Sequence, residues 1–71
     1  MSLQKNIKST ILEIKQYSET TYDLTMRQFK LLKETNASIS VWEDFQNDVK
    51  GALAVYKWKE IQNDKIHSFN V

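Results

Sequence analysis

Between Ser40 and Lys65 the apolar residues recur on two opposite sides of a helix. At about 100° per residue, Trp42, Phe45, Val49, Ala52, Leu53 and Tyr56 share one side, and Gly51, Ala54, Trp58 and Ile61 share the other. A helix of this kind has to be covered twice. A second helix of the same chain covers it once, so the other side is left for a different molecule.

The rest of the chain is also helical in pattern. Proline is absent and glycine occurs once, which removes the residues that tight hairpins and β-turns use. A first helix, A, is expected over about residues 3–33. Its stripe is Leu3, Ile7, Ile11, Ile14, Tyr22, Phe29 and Leu32, with a hydroxylated waist of Ser18, Thr21 and Thr25. Beside it, Tyr17, Leu24 and Leu31 follow one another at seven-residue intervals and widen the apolar face beyond what a surface helix needs. The polar run 34–40 is the connection. Ser40-Val41-Trp42-Glu43 matches a capping box and opens helix B, over about 41–65. In the tail 66–71, Ile66, Phe69 and Val71 no longer keep the period; they extend the helix, dock, or form a short extended segment.

The expected fold is therefore all-α: a single domain over residues 1–71, an antiparallel two-helix hairpin completing a bundle with another chain. Trp42 should lie near Phe29, and Tyr56 near Ile11 or Ile14. Seventy-one residues make a small core, and chains of that size usually draw on a staple, a metal or a second chain. With no cysteine there is no staple, and with one histidine, His67, no metal site is expected. A second chain remains, either a hetero-partner or another copy.

The same residues argue against catalysis. His67 lies in the tail without an evident partner, and a general base needs one within hydrogen-bond reach. Asp44 and Asp48, one turn apart, read as solvated charges at the start of a helix, where they oppose its dipole favourably. One glycine excludes a glycine-rich phosphate loop. No enzyme activity, cofactor or small-molecule substrate is expected. The longest apolar runs are too short and too charged to insert in a membrane, and the N-terminal stretch, interleaved with Lys5, Lys8, Glu13 and Lys15, lacks a secretory pattern. Net charge is +1. Arg27, Lys30 and Lys33, and Lys57 and Lys59 around Trp58, form no concentrated basic stripe, so a nucleic-acid-binding regulator is the weaker alternative. The candidate partner-binding residues are Gly51, Ala54, Trp58 and Ile61, with Tyr17, Leu24 and Leu31.

Val41-Trp42-Glu43, continued through Lys50 to Ala52-Leu53-Ala54-Val55-Tyr56, resembles the second helix of the small co-chaperones of type III secretion needle subunits, the YscE-like family. In that family the helix begins after a short polar loop and has an alanine-rich centre. The resemblance implies a non-enzymatic, cytoplasmic helical hairpin. It would pair with a tetratricopeptide-like chaperone that keeps a needle subunit from polymerising early. The residues alone leave open a homodimeric four-helix-bundle regulatory protein of phage or plasmid type.

Overall fold

In the computed structural model the described residues are 2–69, with side chains described for 3–61, and every element is helical. There are three helices: α1 (Ser2–Ile14), α2 (Glu19–Glu34) and α3 (Ile39–Phe69). The all-α expectation holds. The continuous helix A over 3–33 does not, because it is broken at residues 15–18. Its first half folds back as α1, which packs closely against both α3 and α2, while α2 and α3 approach each other less closely.

The break needs neither proline nor glycine. At the end of α1 the Ile14 carbonyl accepts from both the Tyr17 and Ser18 backbone N–H groups (2.9 Å each), so the last turn tightens and closes on itself. Ser18 then takes an extended conformation (φ −157°, ψ 114°) as the N-cap of α2, its hydroxyl accepting from the Thr21 N–H at 3.2 Å. Glu19 follows in the first turn, on the side of the dipole that favours a carboxylate. What reads as a soft waist in one long helix is a cap between two helices.

Contacts between helices set their directions. Leu3 and Gln4 border the same hollow as Leu32, Ile39 and Trp42, while at the other end Glu13 Oε2 lies 3.4 Å from Lys57 Nζ. Thus α1 runs parallel to α3 and antiparallel to α2. Phe29 meets Trp42 edge-on (centroids 5.2 Å apart), and Thr21 meets Tyr56, which makes α2 and α3 antiparallel as expected. Tyr56 sits at the α1–α2 turn, just beyond Ile14.

The core is Ile7, Ile11, Ile14, Phe29, Trp42, Phe45, Val49 and Leu53. The three isoleucines of α1 are fully buried, each worth about 1.5–3 kcal/mol of apolar burial. The inward side of α3 is the side with Trp42, as its period predicts.

The connection between α2 and α3 is also specified locally. Asn36 has φ 52°, the left-handed conformation that asparagine tolerates better than most residues. The Ala37 N–H donates to the Leu32 carbonyl and the Asn36 N–H to that of Lys33, the paired bonds of a Schellman cap. The Ser38 carbonyl accepts from the Trp42 N–H at 3.1 Å. Ser38 therefore precedes the first turn of α3, and the capping box expected at Ser40 does not form: Ser40 lies inside the helix, and its hydroxyl is 3.2 Å from that of Ser38. Helix α3 does not stop near 65 but continues to Phe69. Asn70 and Val71, the end of the expected tail, lie outside the described residues.

Candidate interaction face

Helix α3 has 31 residues, against 13 in α1 and 16 in α2. At about 1.5 Å per residue it spans about 46 Å, roughly twice either neighbour, within a molecule 52 × 20 × 15 Å. The ends of α1 and α2 meet it at Lys57 and Tyr56. Beyond that level α3 runs on to Phe69, about three more turns. Trp58 and Ile61 begin this overhang.

On the side of α3 away from the core, Trp58 is 61% exposed and Ile61 55%. Gly51 and Ala54 are exposed on the same side. The four residues expected to form one face do so, and nothing in the described part of the chain covers them. Val55, 52% exposed, adjoins them. By angle Val55 sits between the two stripes, so the helical period assigns it to neither and only its own apolarity marks it. A β-carbon placed on Gly51 would meet no atom within 4 Å, so the fold does not demand glycine there.

The expected ridge of Tyr17, Leu24 and Leu31 is split. Tyr17 lies in the turn between α1 and α2, not in a helix. It stacks on Tyr56 (centroids 5.9 Å apart, planes 14° apart). Leu24 and Leu31 are exposed on α2. Leu24 borders a shallow groove with Thr25, Gln28, Phe45, Asp48 and Val49, away from the Trp58 side of α3.

The level where the overhang begins is fixed by polar contacts. Ser18 Oγ donates to Thr21 Oγ1 at 3.2 Å, and Thr21 Oγ1 is 2.7 Å from Tyr56 Oη. The hydrogen bonds from Thr21 and then Ser18 hold the Tyr56 phenol below its ordinary pKa. Tyr17 is pushed the other way, first by loss of water around the ring and then by hydrogen bonding to Glu60 and the charge of that carboxylate. The Glu13–Lys57 pair is about half exposed, and pairs of that kind contribute 0–1 kcal/mol; it marks register more than it stabilises.

Among the described residues no group of three or more His, Cys, Asp or Glu is placed to hold a metal ion, and no helix is long and apolar enough to cross a membrane. Comparison with protein-family models, with curated proteins and with solved structures finds no match.

Proposed function

We propose that the protein is a non-enzymatic protein–protein interaction module whose working surface is the outer face of α3. One observation carries this reading. Trp58, Ile61 and Val55 are all more than half exposed on a helix whose opposite side carries Trp42, Phe45, Val49 and Leu53 into the core. Tryptophan is enriched among residues that dominate binding energy, and contiguous apolar patches on soluble chains tend to be contact sites.

In its narrower form the reading is a co-chaperone that completes the helical stack of a repeat chaperone holding a secretion needle subunit. The resemblance of the segment around Ala52–Tyr56 supports that form, and an overhanging amphipathic helix suits a groove between helices. A homodimeric regulatory protein would use the same face against a second copy.

The test is thermal unfolding of Trp58→Ala against the unaltered chain at high dilution. A docking residue leaves the dilute melting temperature and helical content unchanged. A fall in melting temperature at every concentration would place Trp58 in the protein's own packing and overturn the reading.

A further inference from the structure

The fold-back of α1 brings together cations that are far apart along the chain. Lys5 and Lys8 of α1 and Lys33 of α2 border one shallow hollow of about 190 Å³, with Gln4 and Phe29. In one continuous helix Lys8 and Lys33 would stand about 38 Å apart. The row continues on the same flank of α2, where Arg27 and Lys30 border a second hollow with Tyr22, Asp23 and Met26. At its far end Lys15 of α1 lies over the Tyr22 ring, 5.1 Å from the centroid, and Lys33 lies over Phe29 at 5.7 Å.

These cations carry uncompensated charge. Among the described residues the one ion pair is Glu13 with Lys57, so none of them is in contact with a carboxylate. Asp23 is the acid within the row, and Glu19 and Glu34 stand at the two ends of α2. No residue of α3 borders either hollow, so the seam between α1 and α2 is a different surface from the outer face of α3.

What the seam lacks selects its partner. A protein partner draws most of its affinity from apolar and aromatic anchors, and a single nucleic-acid strand from rings on which bases stack. Phe29 is 5% exposed and Tyr22 lies under Lys15, so neither ring is open to a base. Leu12 is the large apolar side chain of α1 that is exposed. Ammonium groups on flexible stems, by contrast, meet phosphates as point charges and need no fixed geometry. Helix α1 has 13 residues, about 20 Å, the length of about six phosphates on one strand at about 3.4 Å each.

We propose that the α1–α2 seam binds the phosphate backbone of a nucleic-acid duplex without reading its sequence, through Lys5, Lys8, Lys30 and Lys33. This binding is independent of the docking role of α3.

Fluorescence anisotropy of a fluorescein-labelled DNA duplex of mixed sequence, titrated with the full chain, tests it. At about 50 millimolar salt the unaltered chain should bind with a dissociation constant of about 10–100 micromolar, and log affinity should fall against log salt with a slope of about −3 to −4. Joint substitution Lys5→Gln, Lys8→Gln and Lys33→Gln should weaken binding by about tenfold or more and bring the slope to about −1. Arginine at the same positions should preserve it. The charge-matched control on α3, Lys50→Gln with Lys57→Gln and Lys59→Gln, should weaken it by less than about threefold, because those charges are screened from a ligand on the seam. Equal losses from the two glutamine sets would overturn the seam as the site. No binding at several hundred micromolar protein, or tighter binding of the single strand, would overturn the duplex as partner. So would equally tight binding of phosphatidylglycerol vesicles or of polyglutamate.

Discussion

Replacing Ile11 by alanine tests the third helix most sharply, because the sequence pattern alone puts Ile11 in a different architecture. Ile11 is fully buried between Ile7 and Ile14. The substitution removes the equivalent of about three carbon groups at about 0.8 kcal/mol each. The cavity left behind raises the expected loss to about 3 kcal/mol, within the usual range of about 2–5. A 71-residue domain has a total stability of about 4–11 kcal/mol on the usual per-residue scale. The substitution should thus remove a large share of it and lower the melting temperature by about 12–24 °C. Leu12 is the internal control: next in sequence but 48% exposed, it should change stability by no more than about 0.5 kcal/mol when cut to alanine. Urea unfolding followed by far-UV circular dichroism reads both. Equal and small effects at the two positions would mean that α1 does not pack as described, and the three-helix core would be wrong.

The caps offer local tests. Asn36→Ala should cost about 1 kcal/mol because alanine resists φ 52°, while Asn36→Gly should be neutral or slightly stabilising; chemical denaturation measures both. Ser18→Ala should cost about 1 kcal/mol as a lost N-cap and Tyr56→Phe about 1 kcal/mol as a lost hydrogen bond. Their double substitution should cost less than the sum, since Ser18, Thr21 and Tyr56 form one chain of hydroxyls. In an alkaline titration followed by tyrosine ring resonances, Tyr56 should ionise before Tyr17. The raised Tyr17 contributes stability that is present below its ordinary pKa and is lost as pH rises through its folded value. The lowered Tyr56 contributes stability present above its ordinary value and lost as pH falls through its own folded one.

The inward face of every helix was legible in the sequence, because burial repeats with the helical period. Ile7, Ile11, Ile14, Phe29, Trp42, Phe45, Val49 and Leu53 are all buried where the period puts them. The reversal at residues 15–18 was not. A stripe continues in phase across a short break, so Ile14 and Phe29 look alike whether one helix or two carries them. The signal that separates the cases is chemical: Ser18 followed by Glu19, Thr20 and Thr21 is a poor helix interior and a good helix start. The start of α3 was misplaced for a related reason, since Ser38 and Ser40 are both capable caps and the Schellman turn at Asn36 decides between them. Of the candidate interaction residues, the four on α3 remain together because the helix between them is unbroken. Tyr17 is separated from Leu24 and Leu31 because it lies in the turn itself, outside α2.

The central claim is that Trp58 is free in the single protomer, on a face open to a partner. Fluorine NMR of the protein labelled with 5-fluorotryptophan follows both indoles in the unaltered chain, with Trp58→Phe assigning the lines. Trp42, 4% exposed, should show no shift between light and heavy water at any concentration. Trp58 should show a clear solvent shift in dilute solution. A Trp58 line insensitive to solvent at every dilution would contradict the claim, since the protomer would then be covering that face itself.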